Sequence, residues 1–270
     1  MQGFLLIDKP EGITSHDVVD RVRRLTGEKR VGHAGTLDPF ATGLLIVGVG
    51  RVATREFQKL VGLDKEYEAV FTLGATSDTD DRTGNIHRCS SVEGESDTTG
   101  SDAEPHGTSG KAGSGFAGKV PVKSDPLATA MRSLTGTIAQ VPPAYSAIKI
   151  AGKKMYELAR EGKEVERKPR TVTIHSFDLL EDQGPTNIGN LIRVRISCSS
   201  GTYIRSIARD LGQALGSGGY VQELRRTVIG SFAINEAVML GNLTKDNVST
   251  SLLPIESVLS RVPNSGTVPA

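Results

Sequence analysis

One carboxylate stands alone in the segment GHAGTLDPFATGLL, residues 32–45, among glycines, threonines and a proline. Glycine permits backbone angles that other residues resist, and Pro39 favours extended geometry at Asp38. We therefore expect an ordered loop that enters a strand at Leu44. The sequence shows no lysine beside Asp38 and no second acid within reach. Such a residue either caps its own turn or takes part in catalysis as a single charged group.

The residue patterns of several other site classes are missing. The five histidines never pair at the spacing of helical metal ligands, and there is no Cys-x-x-Cys pair, nucleophile elbow or phosphate loop. Residues 48–53, GVGRVA, match the dinucleotide pattern G-x-G-x-x-A, but Glu66 and Glu68 stand at the start of the next strand and not at its end. An NAD-dependent oxidoreductase is therefore the weaker alternative, and we expect no metal and no cofactor.

Length and composition indicate a globular protein. The chain has 270 residues, of which 37% are hydrophobic and 23% charged, in the range of one or two globular domains. No apolar run approaches the ~20 residues of a membrane span. The N-terminal MQGFLLIDKP lacks the basic region of a signal peptide, and the two cysteines, Cys89 and Cys198, do not make a disulfide framework. We predict a cytoplasmic protein without membrane contact.

The charge of the chain is distributed unevenly. Residues 89–118 contain five acids, one base, seven glycines and six serines, and we interpret them as a mobile surface insertion of low complexity. The formal net charge of the whole chain is +1, and without this segment it is +5. Basic clusters at 21–30 and 160–170 suit a polyanionic partner, although solvated helix faces explain them equally well.

The predicted elements belong to the α+β class, with a mixed, mainly antiparallel sheet and flanking helices. The helix from His16 to about Leu25 has a capping box of Thr14 and Asp17, and Gly27 ends it. Alternation of apolar and polar residues predicts half-buried strands at 67–73 and 191–198. The other predicted strands are 4–7, 44–49, 170–180 and 220–233, and the other predicted helices are 52–61, 127–134, 202–215 and one within 141–162.

Six motifs identify a family. The segment 32–45 resembles the catalytic motif of the bacterial tRNA pseudouridine-55 synthases, the TruB-type family that also includes guide-dependent archaeal and eukaryotic enzymes. The other resembling segments, in the order of the family, are LLIDKPEGITSHDVV (5–19), KEYEAVFTLGATSDTDDRTG (65–84), VPPAYSAIKIAGKKMYELAREG (141–162), CSSGTYIRSIARDLG (198–212) and LRRTVIGSF (224–232).

The resemblance implies an isomerisation of uridine at position 55 in the T arm of tRNA. The N1–C1′ bond breaks, the uracil turns over, and C5 bonds to C1′ in a central RNA-binding cleft. Cleavage develops positive charge on the sugar, which one carboxylate can stabilise by attacking C1′ or by removing the C2′ proton. A second acid is unnecessary because the leaving base is attached again. The sequence leaves attack at C1′ and proton removal at C2′ open.

Three catalytic residues follow from the resemblance. Asp38 is the carboxylate, Arg205 in GTYIRS keeps it ionised, and Tyr67 stacks on the displaced uracil and serves in removing the C5 proton. Read without the family, Arg205 would be a phosphate-binding or surface arginine. The alternation of apolar residues alone would likewise make Tyr67 a core residue of its strand.

Substrate-binding residues follow in the same way. His33 matches a residue beside the flipped nucleotide. A lone histidine is, however, more often a structural residue held by hydrogen bonds. Leu224 matches an apolar pocket wall, and Lys9 and Pro10 match a loop that supports the catalytic turn. The remaining implied substrate-binding residues are Gly32, Thr36, Lys149 and Tyr203.

Two departures from the family shape the predicted organisation. The segment 89–118 is longer than usual, and the chain stops about 38 residues after LRRTVIGSF. We predict a catalytic domain at 1–240 with the insertion at 89–118, and a short tail at 241–270 interpreted as a vestige of a C-terminal RNA-binding domain. The predicted partner is tRNA, and we expect a monomer that requires no protein partner. The alternatives are a guide-directed relative and a non-catalytic RNA-folding chaperone.

Overall fold

The computed structural model describes residues 1–89, 125–145, 149–150, 153–154, 167–180 and 191–263, with the backbone alone at 149–150 and 153–154. Fourteen strands and six α-helices form within these ranges. The strands are β1 (Gly3–Lys9), β2 (Val31–Ala34), β3 (Thr42–Val49), β4 (Lys65–Leu73), β5 (Ala75–Ser77), β6 (Ile86–Arg88), β7 (Gly136–Gln140), β8 (Lys149–Ile150), β9 (Lys153–Lys154), β10 (Arg170–Leu179), β11 (Leu191–Cys198), β12 (Gly219–Ile229), β13 (Phe232–Ala233) and β14 (Val238–Met239). The helices are α1 (Ser15–Thr26), α2 (Gly50–Arg55), α3 (Phe57–Val61), α4 (Pro126–Ser133), α5 (Ile204–Ala214) and α6 (Ile255–Leu259).

A mixed ten-stranded sheet organises the molecule. Its main path runs β14-β1-β3-β12-β4-β11-β10-β7, while β2 pairs with β3 and β13 with β12. The β1–β14 and β3–β12 pairs are parallel, and the other pairs are antiparallel. This confirms the predicted α+β class with a mainly antiparallel sheet. The late strand β12 lies between two early strands, β3 and β4, so distant parts of the chain meet at the centre of the sheet.

The strand β4 joins the larger core to the site because its residues alternate between two faces. Tyr67, Ala69 and Phe71 point into a core that α4 and α5 cover. Glu66 and Glu68 lie on the other face, where the Nη2 atom of Arg195 is 2.9 Å from a carboxylate oxygen of Glu68. The alternation predicted for 67–73 and 191–198 is confirmed.

The helix α1 covers a second core formed with β1 and β3. The Thr14 side chain accepts a hydrogen bond from the Asp17 backbone, Asp17 returns the contact, and Gly27 closes the helix with a φ of 68°. Val18, Val19 and other apolar residues of one helix face are buried against the sheet. The capping residues predicted from the sequence therefore set both ends of α1.

Residues 234–258 pack on β1 through two short 3₁₀ helices, at 234–236 and 240–242, and through α6. The Phe4 N–H donates to the Leu253 carbonyl at 3.0 Å, and the Leu253 N–H donates back at 2.8 Å. Leu243, Val248 and Val258 are buried. The part of the predicted tail that the structure describes thus contributes to the core of the catalytic domain.

Three predicted boundaries were wrong. Residues 52–61 form two helices, since the chain is not continuously helical at Glu56. The long strand 220–233 is interrupted at Gly230, whose φ of 56° turns the chain into β13. The strand expected from Leu44 begins at Thr42.

Two sequence predictions fall outside the described residues. The insertion at 89–118 is described only at Cys89, and the helix within 141–162 falls on a segment of which little is described. Among the described residues, no helix is long and apolar enough to cross a membrane.

Candidate active site

The three residues predicted to be catalytic meet in one pocket. Asp38, Tyr67 and Arg205 line a cavity of about 270 Å³. It lies between β4, the start of α5 and the loop that joins β2 to β3 and carries Asp38 (the catalytic loop). Three of the predicted substrate-binding residues also line it: Thr36, Tyr203 and Leu224. The fold therefore gathers residues from four separate sequence motifs around a single opening.

Asp38 and Arg205 form the central contact of this pocket. The Nε atom of Arg205 lies 3.0 Å from Oδ2 of Asp38. Its N–H does not point well enough at that oxygen to form a hydrogen bond, so the contact is a close ion pair. The guanidinium is instead oriented by the carbonyls of Thr79 and Tyr145, to which Nη1 and Nη2 each donate at 3.0 Å. Arg205 is thus fixed by the backbone and presents its charge to Asp38.

The expectation that no second acid lies within reach of Asp38 was wrong. The Asp81 carboxylate lies 3.4 Å from Nη1 of Arg205 and is almost fully buried. Thr79 and Thr83 hold it, through Oγ1 of Thr79 at 2.8 Å and the N–H of Thr83 at 2.9 Å. Sequence reasoning missed Asp81 because only the fold brings the turn 77–84 against α5. The run of acids in SDTDDRTG was the one available signal.

Burial and neighbouring charges set the proton affinity of Asp38. About a third of its side chain faces the opening, 36%, and protein surrounds the remainder. Burial raises the pKa of Asp38, the Arg205 charge opposes that rise, and the negative charge of Asp81 adds to it. Arg205 therefore offsets part of the cost of keeping this carboxylate ionised.

Tyr67 lies beneath the pocket on β4, with 9% of its surface exposed. In the sheet it pairs with Ile196 of β11 on one side and Arg226 of β12 on the other. Burial raises the pKa of its phenol, and the charge of Arg226 opposes the rise. The backbone of Tyr67 is thus paired with a neighbouring strand on each side.

The side chains of Ser15 and Lys9 hold the backbone of the loop that carries Asp38 through hydrogen bonds. The Ser15 hydroxyl donates to the Leu37 carbonyl at 3.1 Å and accepts from the Leu37 N–H at 2.9 Å. Lys9 is fully buried, and its Nζ donates to the carbonyls of Pro10, Ile13 and Pro39. Burial lowers the pKa of Lys9 to about 8, and the Asp38 charge opposes this shift. The fold thus brings a lysine close to Asp38 that the local sequence lacks.

The other predicted binding residues, Lys9, Pro10, Gly32, His33 and Lys149, are not among the residues that line the pocket. Gly32 packs under Phe57, since a Cβ atom there would be 2.7 Å from the ring. His33 is half-buried, and its Nδ1 has no hydrogen-bond partner among the described residues. Burial lowers the pKa of His33, as do Arg226 and His16. Lys149 lies in β8, where only the backbone is described.

Arg226 is the second residue that sequence reasoning missed. It lines the pocket, is 1% exposed, and donates to the carbonyls of Gly35, Thr36 and Leu44. The available signal was its spacing, because Leu224 and Arg226 stand two residues apart on one strand and so share a face. Charged residues are rarely placed on a buried face, and this one was therefore overlooked.

Two further features complete the surroundings of the pocket. In the part of the chain that the structure describes, no group of three histidine, cysteine or acidic residues could hold a metal. A larger cavity, about 940 Å³, shares Leu224 with the site and is lined by Arg82, Arg193 and Arg195 among other residues. This cavity lies beside the site, along the face of the sheet that carries Glu68 and Arg195.

Comparisons with known sequences agree with this geometry. Residues 23–104 and 98–204 match the N-terminal domain of the TruB family of pseudouridylate synthases, and residues 205–260 match the C-terminal domain of tRNA pseudouridylate synthase B. The tRNA pseudouridine synthase B of Corynebacterium efficiens is 42% identical over 259 residues, which are 96% of this chain and 77% of that protein. That of Leifsonia xyli subsp. xyli is 45% identical over 241 residues, 89% of this chain and 71% of that protein.

Solved structures show the same fold. The chain aligns with a protein in the crystal structure of a Cbf5-Nop10-Gar1 complex with a TM-score of 0.63 and 27% identity. The alignment covers 96% of this chain and 62% of that chain, so this chain spans less than two thirds of its length. On these matches, and on the six ordered motifs of the sequence, the chain belongs to the TruB family of pseudouridylate synthases.

Proposed function

We propose that this protein converts the uridine at position 55, in the T arm of tRNA, to pseudouridine. The single observation that carries the proposal is the Asp38–Arg205 ion pair at the mouth of a pocket that also contains Tyr67. The names of the related synthases give the substrate class. Position 55 rests on the resemblance of the motifs.

Asp38 acts on the ribose in this proposal. As the N1–C1′ bond breaks, the sugar gains positive charge, and a carboxylate beside it lowers the barrier. The carboxylate either attacks C1′ or removes the C2′ proton, and in both routes it must be ionised. Arg205 serves that need, because its fixed charge opposes the effect of burial on the pKa of Asp38.

The detached uracil stays in the pocket in this proposal. The Tyr67 ring and Leu224 give it apolar walls, and the backbone at Tyr203 lies beside them. A base held in this way can rotate so that C5 faces C1′. After the new bond forms, C5 loses its proton to the ionised side chain of Tyr67 in this proposal, and N1 gains a proton, so that no proton is gained or lost overall. No electron is transferred and no water is consumed.

The target base must leave its stack before it reaches this pocket. The arginines of the larger cavity, Arg82, Arg193 and Arg195, could contact the phosphates of an RNA arm lying across Leu224. We propose that tRNA is bound without a protein partner, by a monomer. The cytoplasmic location given by the sequence stays a prediction.

The test uses the purified protein and an unmodified tRNA transcript, with no other factor added. We expect pseudouridine at position 55 and none in a transcript with cytidine at that position. Conversion that requires a guide RNA or an added protein would favour the guide-directed alternative. Binding without conversion would favour the chaperone alternative. Either result contradicts the proposal.

A further inference from the structure

We propose that Arg226 is a positioning residue, which holds the loop of Asp38 and the Tyr67 ring in one fixed arrangement. The inference rests on the proposed function, because it assigns Arg226 a part in that reaction. It concerns the second arginine of the pocket, which forms no ion pair with Asp38 among the described residues.

The three contacts of Arg226 enclose the catalytic loop. Nε donates to the Leu44 carbonyl at 2.8 Å, after the loop, and Nη2 donates to the Gly35 carbonyl at 3.1 Å, before it. Nη1 adds a longer contact of 3.4 Å to the carbonyl of Thr36. One planar guanidinium thus ties together the two ends of the loop that presents Asp38.

The backbone of Arg226 packs closely against the strand that follows the catalytic loop. A Cβ atom at Gly43 would lie 2.3 Å from the Arg226 carbonyl oxygen, and Gly43 has a φ of +105° that favours glycine. In register, Arg226 stands opposite Gly43 on one side and opposite Tyr67 on the other. It therefore connects the strand that leaves the catalytic loop to the strand that carries the tyrosine.

The partners of Arg226 are unusual for a buried charge. Its guanidinium donates to three carbonyl oxygens, and no described carboxylate pairs with it. An apolar side chain would give a comparable packing without the desolvation of a charge. A fork of several donors in one plane, by contrast, is a property of arginine that neither lysine nor an apolar residue supplies.

The charge of Arg226 also acts on the tyrosine. It opposes the rise that burial causes in the pKa of Tyr67. It therefore favours the ionised phenolate, the form of Tyr67 that can accept the C5 proton. Asp38 and Cys198 act in the opposite direction on the same hydroxyl. Of these three groups, Arg226 is the one whose charge lowers the pKa of Tyr67.

The test measures Arg226→Lys and Arg226→Met by single-turnover conversion of tRNA with enzyme in excess. Under these conditions a partly unfolded sample does not reduce the rate constant, because the folded enzyme still exceeds the substrate. Misplacing a reacting group by about 1 Å can cost about 100-fold in rate, and we expect a loss of that order for Arg226→Met. We expect Arg226→Lys, which keeps the charge but not the fork, to lose at least about tenfold. The dissociation constant for tRNA should change by less than about threefold, since Arg226 does not reach the surface.

Arg261→Met is the matched control. Arg261 also holds a backbone carbonyl, that of Ser231, and pairs with Glu236, but it lines neither cavity. It should lower the melting temperature and leave the single-turnover rate unchanged. If Arg226→Met does not fold, Arg226→Lys decides alone. A rate within about twofold of wild type in the lysine variant, with tRNA affinity intact, would overturn the inference. An inactive wild-type protein would instead overturn the proposed function, and the inference with it.

Discussion

The carboxylate of Asp81 lies 3.4 Å from Nη1 of Arg205, and both side chains are about 95% buried. The arginine is thus shared between two acids, of which only Asp38 faces the opening. Asp81 has two effects of opposite sign. It helps to fix the guanidinium that pairs with Asp38, and its negative charge raises the pKa of Asp38.

Asp81→Asn should separate these two effects. Without the charge, the pKa of Asp38 falls, so the acid limb of the pH–rate profile should move to lower pH. Because Arg205 loses a partner, the plateau rate should also fall, by about tenfold. Single-turnover rates from pH 4 to 8 test this at constant ionic strength. An acid limb that moves upward would contradict the sign of the assigned interaction.

Asp38→Asn should abolish conversion while the protein folds and binds tRNA. Asparagine is nearly isosteric, so the loss would report the charge and not the packing. The folded pKa of Asp38 is raised, which means that its ionised form costs stability at neutral pH and the protonated form does not. The melting temperature of the variant at pH 7 should therefore equal or exceed that of wild type. Product formation within tenfold of wild type would remove Asp38 from the catalytic role.

Arg205→Lys should lower turnover strongly and tRNA affinity only modestly. Lysine keeps the charge, but it cannot donate in one plane to the carbonyls of Thr79 and Tyr145 while facing Asp38. Rate constants and dissociation constants are measured on the same preparation. A variant that loses affinity alone would show that Arg205 contacts a phosphate.

Arg209 lies on α5, one helical turn beyond Arg205, and pairs with Asp80 of the turn 77–84. Nη1 of Arg209 donates to Asp80 at 2.9 Å, and Nη2 donates to the Val141 carbonyl at 2.9 Å. Asp80 has a φ of 59°, the only positive value outside glycine among the described residues. Asp80→Ala and Asp80→Gly both remove the ion pair, but only alanine keeps the backbone strain. We expect the glycine variant to be more stable than the alanine variant by about 1 kcal/mol in urea unfolding. Equal stabilities would mean that the backbone at residue 80 relaxes.

Replacing residues 89–118 by a short Gly-Ser linker should leave turnover and melting temperature nearly unchanged. The prediction comes from the sequence, which is rich in glycine, serine and acids there. Shortening a surface loop changes stability by only about 0.6 kcal/mol per factor of two in length. Affinity for tRNA should stay the same or increase at low salt, because five carboxylates are removed. A tenfold loss of affinity with the fold intact would show that the segment contacts RNA.

The sequence predicts those features that depend on neighbouring residues. The capping residues Thr14, Asp17 and Gly27 set the ends of α1, and alternation sets the buried face of β4. The fold class follows from such elements. The resemblance of the motifs predicts that Asp38, Tyr67 and Arg205 are the catalytic residues, and the structure places them in one pocket.

What the sequence does not predict depends on contacts between distant segments. Asp81 lies in a turn whose acids look solvated until α5 packs against it. Arg226 faces inward on a strand where an arginine is expected to face water. Lys9 reaches the catalytic loop only because β1 and β3 pair along their length. No local pattern distinguishes these residues from exposed charges.

The insertion of β12 between β3 and β4 has a consequence for the order in which the protein is made. A ribosome releases β3 and β4 early, and β12 only after a long intervening stretch of chain. During that interval two strand edges at the centre of the future sheet lack their partner, and such edges promote aggregation. The loop of Asp38 meanwhile lacks both Arg205 and Arg226. Nascent chains that stop before β12 should therefore bind chaperones and show no activity, and the active site should form only as the last central strand enters the sheet.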